Sequence, residues 1–436
     1  MSGLCTSLGY EMRVNKLQDI MRSEEFSNVL LDLYEDENLI EYQKERYLGL
    51  SDRFMSLYGN EDVMVLSAAG RSEVGGNHTD HQHGCVLAAS INLDAIGMVC
   101  KQDDVVTIVS DNVVLKDIPL SDLSMKESEK SSSESLVKGV LYKLQELGYV
   151  IGGFKAYITS DVLIGAGLSS SAAFETLIGT IISGLYNDMK IDMVTIAKVG
   201  QFAENVYFGK PCGLMDQCAC AVGGLIHIDF KDPSCPIVNH LDVDFSSFDH
   251  SLCIIDTKGS HADLTDEYAA IPAEMKSVAQ YFGKDFLRDV PAIDFFEQVH
   301  AVRQVCSDRA VLRALHFFEE NERVGKLVDS LNAGNFDGFK SLIASSGNSS
   351  YKFLQNVFAA SDPQNQAVSL GLAMSEYLLQ DHGVCRVHGG GFAGTIQAFV
   401  ENDFVDTYKE GMENVFGAGS CHVLKVRKYG GCRVIC

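Results

Sequence analysis

A run of small residues that leads directly into an apolar helical pattern restricts the fold of this chain more than any other feature. It reads GAGLSSSAA from Gly165 to Ala173, after a strand-like segment and before ETLIGTIISGLYND. Glycines let a backbone approach a ligand closely, and the unpaired amides at a helix start favour an anion. One capping serine would not account for three, and no Gly-Lys-Ser/Thr makes this a P-loop. We predict a phosphate-binding loop formed by Gly165, Ala166, Gly167, Leu168, Ser169, Ser170 and Ser171.

A second glycine-rich segment, HGGGFAGT from His388 to Thr395, contains a literal GxGxxG. A dinucleotide-binding fingerprint of that form must lead into a helix. Here the next residues, TIQAFV, are typical of a strand, so the Rossmann interpretation is rejected. For this segment alone, a turn between two strands is favoured over a loop packed beside a bound nucleotide, which stays open.

The segment GRSEVGGNHTDHQHG, from Gly70 to Gly84, follows a short apolar run typical of a buried strand. Its histidines, His78, His81 and His83, could ligate a metal together with the aspartate between them. Ligands bunched in one loop differ, however, from the split arrangement of a closed zinc site. Short polar groups on a rigid loop would also suit a polyhydroxylated ligand, and a polar surface loop is about as well favoured.

Two acidic residues frame a further short segment. Glu204 lies on a predicted helix, and Asp216 lies in GKPCGLMDQ, which follows that helix. One carboxylate could bind a metal while the other accepts a proton. Taken alone, each is better explained as a surface acid or a helix cap.

The order of these patterns indicates an α+β protein with two lobes. Strand-like segments dominate the chain after residue 58, and long helical patterns fill residues 267–379 before a final strand pair. We predict a helical N-terminal extension over residues 1–58, a first domain over residues 59–245 and a second domain over residues 246–436.

Charge and cysteine usage limit the partners and the compartment. The 59 acidic and 35 basic residues give a net charge of −24, which disfavours nucleic acid over any large surface. A local cradle of amides can still bind a nucleotide. The thirteen cysteines are an odd number in a long, apolar-rich chain, so we predict reduced thiols and a cytoplasmic location. No signal peptide or membrane-spanning segment is evident, so no membrane partner is expected.

In combination and order, these motifs resemble the GHMP small-molecule kinases and, within them, the galactokinases. The first family motif corresponds to Gly70-Arg71 and to NHTDH at residues 77–81, and the two glycine loops follow in the family order. PCGLMDQ around Asp216 and HADLTDEY ending at Tyr268 are similar to galactokinases in particular. The resemblance covers the chain from about residue 53 onwards. It implies a ribosomal-S5-like N-terminal domain, a ferredoxin-like C-terminal domain, and an active site in the cleft between them.

The resemblance also implies ATP-dependent phosphorylation of the anomeric hydroxyl of a sugar, with Mg²⁺ as the metal. Asp216 would be the catalytic acid/base and Arg71 its positive partner. Ser171 and Glu204 would hold the metal, with Ser170 as the alternative hydroxyl. The residues that would contact the sugar are Asn77, His78, Asp80 and Tyr268. Phosphoryl transfer asks mainly for positioning and charge neutralisation, which such a set would supply.

Four positions depart from the family pattern. Asn77 stands where galactokinases have a glutamate that accepts a hydrogen bond from the sugar O6, and Glu73 stands where they have an asparagine. His81 replaces a tyrosine, and Leu163 replaces a proline. Asparagine is neutral and offers both a donor and an acceptor. Galactose is therefore the favoured substrate, a C6-altered sugar such as galacturonate stays open, and a catalytically silent sugar sensor is disfavoured because Asp216 and the phosphate loop are present.

Overall fold

The computed structural model describes residues 12–163, 167–210, 212–259 and 264–435. Within these residues the strands are β1 (Met12–Arg13), β2 (Asp62–Gly75), β3 (Cys85–Gln102), β4 (Val105–Ser110), β5 (Val113–Val114), β6 (Ile118–Pro119), β7 (Gly153–Ser160), β8 (Leu225–Asp229), β9 (Ile237–Leu241), β10 (His250–Asp256), β11 (Gly383–Val387), β12 (Thr395–Glu401), β13 (Cys421–Leu424) and β14 (Cys432–Ile435). The α-helices there are α1 (Val14–Met21), α2 (Glu24–Tyr34), α3 (Ile40–Tyr58), α4 (Ser133–Glu146), α5 (Ser170–Asn187), α6 (Met193–Phe202), α7 (Met215–Val222), α8 (Thr265–Tyr281), α9 (Ala292–Val305), α10 (Asp308–Asn332), α11 (Phe336–Ser349), α12 (Ala367–Leu379) and α13 (Val405–Phe416). The π-helical turns Ala203–Phe208 and Ser350–Leu354 continue α6 and α11.

The first lobe is built on a mixed sheet in which β1, β2, β3, β7, β4 and β5 are neighbours in that order. β8 pairs with β3 and β9, and β6 pairs with β4. β2 is buried at every position after Asp62, because helices cover both faces of the sheet. Helices α4 to α7 pack on one face, and α1 to α3 pack on the other. This double cover explains why the strands appear in the sequence as near-continuous apolar runs.

Helix α5 lies inside the first lobe and holds the end of the phosphate-binding loop. It is buried along most of its length and contacts β2, β3 and the helices α4, α6 and α7. Small residues make this possible: a Cβ at Gly179 would lie 2.7 Å from Cγ2 of Ile196 on α6. The small and apolar composition that marks this helix in the sequence is therefore a consequence of close packing on several sides.

The second lobe contains an antiparallel sheet in the order β11, β12, β10, β13. Helices α12 and α13 cover one face of this sheet. Its other face packs on α10 and α11 and joins side chains of the first lobe in one continuous apolar core. The α+β architecture of two lobes that the sequence predicts is confirmed.

The end of the described chain returns to the first lobe. β14, which lies within the second predicted domain, pairs antiparallel with β2, and Cys432 lies opposite Ser67. Arg427 precedes this strand, is fully buried, and donates a hydrogen bond from Nη1 to Oδ2 of Asp94 on β3 at 2.7 Å. The first lobe is thus built from both ends of the described chain.

Two further sequence expectations can be compared with this fold. The cysteines in the described ranges are all free thiols, as predicted for them. Among the same residues, no helix combines the length and the apolar character needed to cross a membrane.

Candidate active site

The predicted phosphate-binding loop leads into α5, and the structure describes it from Gly167 onwards. Gly165 and Ala166 lie outside the described residues. Gly167 (φ 67°) and Ser169 (φ 58°) have left-handed backbones, which for a serine is uncommon and is often found at functional positions. Leu168 is fully buried, so it offers a ligand its backbone alone. α5 begins at Ser170, and its first amides have no acceptor within the helix.

Arg71 approaches this loop from β2. The strand register shifts between Ala69 and Arg71, and a Cβ at Gly70 would lie 3.2 Å from the carbonyl oxygen of Leu168. The backbone amide of Arg71 donates to that carbonyl at 3.2 Å, while its Nη1 donates to the carbonyl oxygen of Gly167. The Gly-Arg pair of the sequence therefore brings a guanidinium against the phosphate-binding loop.

Arg71 and Asp216 form a two-pronged ion pair. Nε donates to Oδ1 at 2.7 Å, and Nη2 donates to Oδ2 at 2.8 Å. The hydroxyl of Ser169 also donates to Oδ2. Asp216 lies in the first turn of α7, where the helix dipole favours a carboxylate. Its side chain keeps 32% of its surface exposed while that of Arg71 keeps 8%, so the carboxylate is fixed and still accessible.

These neighbours decide the protonation state of Asp216. Burial opposes its charged form, but the Arg71 guanidinium and the hydrogen bonds from Arg71 and Ser169 outweigh it and hold the pKa of Asp216 below its ordinary value. A carboxylate with opposite charge and donors at hydrogen-bond distance stays ionised. At neutral pH this group is therefore a fixed, ionised acceptor beside a helix start.

Ser171 and Glu204 are brought together as the sequence analysis expects for two metal ligands. The hydroxyl of Ser171 donates to Oε1 of Glu204 at 3.2 Å. Glu204 lies on the π-helical turn Ala203–Phe208 and is buried, and Gln217 Nε2 donates to its Oε2 at 2.8 Å. The ammonium of Lys210 lies 3.2 Å from Oε1 of Glu204.

This donor set fits Mg²⁺ better than a transition metal. A hydroxyl and a carboxylate are hard oxygen ligands, and they lie next to the start of α5, where phosphate binding is predicted. No group of three or more His, Cys, Asp or Glu residues within the described ranges could hold a metal. Mg²⁺ is commonly bound through one or two protein oxygens together with substrate phosphates and waters.

A second buried acid behind this pair was missed by the sequence analysis. Glu175 on α5 is buried, and Gln217 Nε2 donates to its Oε2 at 3.2 Å as well as to Glu204. Burial, and then the Glu204 carboxylate, raise the pKa of Glu175 well above its ordinary value. A lone acid inside the apolar pattern of α5 is the sequence signal that could have identified it.

The residues expected to contact a sugar lie near the second glycine loop and the segment before Asp216. His78 Nε2 donates to the carbonyl of Gly390 at 3.0 Å, which leaves Nδ1 as an acceptor with no partner among the described residues. Burial lowers the pKa of His78 to about 3, so the ring is neutral. The hydroxyl of Tyr268 donates to the carbonyl of Gly391 at 2.8 Å. Asp80 packs its carboxylate against Gly213.

Asn77 lies deeper than expected. It is fully buried, and its Nδ2 donates to Oε1 of Glu73 at 3.0 Å and to the carbonyl of Gly389 at 2.7 Å. Its Oδ1 accepts from Nδ2 of Asn356 at 2.8 Å and from Ser350 at 3.3 Å. A contact between this side chain and a sugar would require it to leave these partners.

The three histidines of the same segment do not all gather around a common point, although the rings of His78 and His81 lie 5.5 Å apart. His83 stacks on Phe286 with ring centroids 3.6 Å apart, whereas His78 is bonded to the second glycine loop. Among the described residues, the metal-cluster interpretation of this segment is therefore not supported.

A cavity of about 980 Å³ opens beside the start of α5. Ser170 and Ser171 belong to its lining, and so do the aromatic residues Phe174 and Phe208. This volume lies at the upper end of the range for small-molecule and cofactor sites. Apart from Ser170 and Ser171, no sequence motif marked this cavity, because the rest of its lining comes from segments far apart along the chain.

Family models match two parts of the chain. The model for the GHMP kinases N terminal domain matches residues 135–224, which include Ser171, Glu204 and Asp216. The galactokinase galactose-binding signature matches residues 52–101, which include Arg71 and Asp80. Both matches fall on the segments that the structure brings together.

Relatives with similar sequences are galactokinases. The galactokinase of Streptomyces coelicolor is 30% identical over 383 residues, spanning 86% of this chain and 95% of the relative. That of Glaesserella parasuis serovar 5 is 31% identical over 363 residues, spanning 82% of this chain and 90% of the relative.

Solved structures share the fold. Lactococcus lactis galactokinase, solved in complex with galactose, superposes with a TM-score of 0.75 at 23% identity, covering 89% of this chain and all of that one. The mevalonate kinase of Methanococcus jannaschii superposes with a TM-score of 0.59 at 15% identity, covering 83% of this chain and 98% of that one. The GHMP kinase fold that the sequence predicts is confirmed.

Proposed function

Because this chain belongs to the galactokinase family of the GHMP kinases and is a sugar kinase, we propose that it transfers the γ-phosphoryl group of ATP to the anomeric hydroxyl of galactose. The observation that carries the proposal is the two-pronged pair between Arg71 and Asp216, with Ser169 as a third partner, at the start of α5. It joins an ionised proton acceptor to a phosphate-binding helix start.

In the proposed reaction, the carboxylate of Asp216 accepts the proton of the anomeric hydroxyl. A positioned general base is needed because a sugar hydroxyl is a poor nucleophile. Arg71 keeps this carboxylate ionised and places positive charge beside the phosphoryl group as it is transferred. Ser169 holds the second carboxylate oxygen, so the base keeps one orientation.

The kinase family implies the use of ATP, and we propose that the amides at the start of α5 hold its phosphates. Ser171 and Glu204 would hold Mg²⁺, which when bound neutralises phosphate charge. The 980 Å³ cavity next to Ser170 would take the nucleoside. Its position agrees with this role, because it opens directly from the phosphate-binding loop.

We propose that His78, Asp80 and Tyr268 form the sugar side of the site. The Nδ1 of His78 is buried and has no partner among the described residues, so it would accept a bond from a sugar hydroxyl that reaches it, and the Asp80 carboxylate would accept further hydroxyl bonds. Tyr268 offers the side of its ring, since its hydroxyl is engaged with Gly391.

A second candidate substrate is a sugar altered at C6, such as galacturonate. One observation favours it: the position where galactokinases have a glutamate holds Asn77, and the carboxylate that is nearby, Glu73, is paired with Arg386 at 2.6 Å inside the protein. A substrate carboxylate at C6 would therefore not face an ionised side chain at residue 77. Galactose stays the first candidate because Asp80 and Tyr268, which are galactokinase-like, are present.

We also propose that the protein acts in the cytoplasm. The free thiols of the described cysteines support this location, because such thiols persist in a reducing compartment.

The experiment that tests the proposal is a coupled assay of ADP release with galactose, other hexoses, amino sugars and galacturonate. Product analysis by NMR would identify the phosphorylated hydroxyl. We expect galactose to give the highest kcat/KM and a 1-phosphate product. The absence of ADP release with every sugar, from folded protein supplied with MgATP, would contradict the proposed function.

A further inference from the structure

The N-terminal extension, residues 12–58 of the described chain, contributes to the wall of the cavity beside α5. Tyr42, near the start of α3, lines this cavity together with Asp161, which follows β7. Ser170 and Ser171 belong to the same lining. Half of the Tyr42 surface is exposed, so its ring is open to a ligand. No sequence motif assigns a role to this extension.

A buried network fixes the extension to the sheet. Arg46, one turn after Tyr42 on α3, donates from Nη1 to Oδ1 of Asp94 at 2.6 Å and lies 3.2 Å from Oδ2 of Asp161. Its Nη2 donates to the backbone carbonyl of Asp94 at 2.8 Å. The other oxygen of Asp94 accepts from Arg427 at 2.7 Å. Because these charges are buried and paired, α3 has one defined position relative to the cavity.

The hydroxyl of Tyr42 completes this wall. It donates to Oδ1 and Oδ2 of Asp161, both at 3.1 Å, and so holds the ring against the carboxylate. Asp161 thus receives contacts from two residues of α3, Tyr42 and Arg46. The extension therefore orients Asp161, which lies in the first lobe a few positions before the phosphate-binding loop.

The charges in the cavity indicate which part of a nucleotide lies where. Asp111 and Asp161 both line the cavity, and carboxylates repel phosphates but accept hydrogen bonds from hydroxyl and amino groups. Phosphates are suited instead by the start of α5, where Ser170 and Ser171 line the cavity. An aromatic ring such as Tyr42 adds a flat apolar surface for a base or a sugar ring.

We propose that Tyr42 and Asp161 form a nucleoside-binding wall of the ATP site, in which the ring of Tyr42 contacts the nucleoside and Asp161 accepts a hydrogen bond from its ribose hydroxyls or its exocyclic amine. This proposal rests on the proposed kinase function and on the assignment of the cavity to ATP. It gives the N-terminal extension a direct part in substrate binding.

The test compares Tyr42→Ala and Tyr42→Phe with Leu57→Ala, a control on the same helix whose side chain is exposed and outside the cavity lining. KM for ATP, KM for the sugar, kcat and the melting temperature would be measured, together with ADP affinity by calorimetry. We expect Tyr42→Ala to raise KM for ATP and Kd for ADP by roughly three- to tenfold, as for a lost aromatic contact. The sugar KM and the melting temperature should not change, and Leu57→Ala should behave as wild type.

Asp161→Asn, measured with ATP, inosine triphosphate and 2′,3′-dideoxy-ATP, identifies the bonded group. The variant should raise KM for ATP and have a smaller effect on the analogue that lacks the group bound by Asp161. Inosine triphosphate lacks the exocyclic amine, and the dideoxy analogue lacks both ribose hydroxyls. An equal effect on all three nucleotides would overturn the contact proposed for Asp161.

Phe174→Ala separates the failure of this wall from the failure of the cavity assignment, because Phe174 lines the cavity from α5. If Phe174→Ala raises KM for ATP and Tyr42→Ala does not, the proposed wall is overturned while the ATP site stands. If none of these variants changes KM for ATP or the affinity for ADP, the cavity is not the nucleotide site.

Discussion

The amide of Asn77 donates a hydrogen bond to the carboxylate of Glu73 at 3.0 Å, inside the protein. In the galactokinase pattern, an asparagine stands at the position of Glu73 and a glutamate stands at the position of Asn77. This chain therefore contains both residue types with their places exchanged. Arg386 lies 2.6 Å from the same Glu73 oxygen. The exchange therefore keeps one carboxylate and one amide in a buried cluster that joins the two lobes.

Asn77→Glu alone should lower the free energy of unfolding by roughly 3–5 kcal/mol, because it buries a second carboxylate beside Glu73 without a new partner. The double variant Glu73→Asn/Asn77→Glu should recover most of this loss, since a carboxylate and an amide again face each other. Denaturant unfolding would measure both, with Asn77→Gln as a neutral control for size. A double variant less stable than Asn77→Glu would contradict the interpretation.

The same double variant tests the substrate. It places a carboxylate at residue 77 without a second one at residue 73, so we expect it to keep or improve kcat/KM for galactose and to lose any use of galacturonate. Both sugars would be compared in wild type and variant. A wild-type enzyme that phosphorylates galacturonate well and galactose poorly would show that galactose is the wrong substrate, while the roles of Asp216 and Arg71 would stand.

Asp216→Asn should lower kcat by about 10²–10⁴-fold, the range for loss of a positioned general base. The asparagine keeps the size of the side chain and can still accept from Arg71, so KM for ATP should change little. Steady-state kinetics with both substrates varied would measure this split. Near-normal kcat in the variant would exclude Asp216 as the base.

Arg71→Gln should move the acid limb of the pH profile of kcat/KM to higher pH. The Arg71 guanidinium holds the pKa of Asp216 below its ordinary value against the opposing effect of burial. Activity from the ionised base is therefore retained into the acid range and lost as pH falls through that lowered pKa. Without the guanidinium, burial raises the pKa of Asp216 and the loss begins at a higher pH. Arg71→Lys, which keeps the charge, should shift the limb less; an unmoved limb in both variants would refute this coupling.

Lys210→Met should tighten binding of a divalent cation. The Lys210 ammonium lies 3.2 Å from Glu204 Oε1, the carboxylate oxygen that also accepts from Ser171, so it competes for the position a metal would take. Mn²⁺ binding measured by EPR without nucleotide should strengthen several-fold in this variant and weaken in Glu204→Gln, because a hard cation prefers an anionic oxygen. Lys190→Met, which removes an exposed lysine paired with Asp188, is the matched control. Equal Mn²⁺ affinity in Lys210→Met and wild type would contradict the competition.

Much of this site follows from local sequence patterns. The run from Gly167 to Ser171 predicts a loop and a helix start because glycine, serine and apolar periodicity each act locally. The strand–turn–strand around HGGGFAGT is confirmed by β11 and β12. The proximity of Arg71 to Asp216, 145 residues apart in the chain, came from the resemblance to a family and not from spacing.

Other parts could not be predicted because they depend on packing between distant segments. Glu175 and Glu204 share Gln217 as a donor, and nothing in their spacing indicates this. The resemblance to galactokinases implied that Asn77 faces the sugar, but Gly389, Ser350 and Asn356 of the second lobe close over it. Tyr42 belongs to a segment without a motif. It lines the cavity because the ion pair of Arg46 with Asp161 holds α3 in place.

The pairing of β14 with β2 sets the order in which the lobes can be completed during synthesis. β2 carries Arg71, and its stretch from Val65 to Ser67 pairs with β14, which lies among the last residues that the structure describes. A nascent chain that has not yet reached residue 432 leaves this part of β2 without its final neighbour and Asp94 without Arg427. Contacts between such distant residues form late and slow folding. The lobe that is translated first is therefore finished last. In a partly synthesised chain, Arg71 lies on a strand whose sheet is still incomplete.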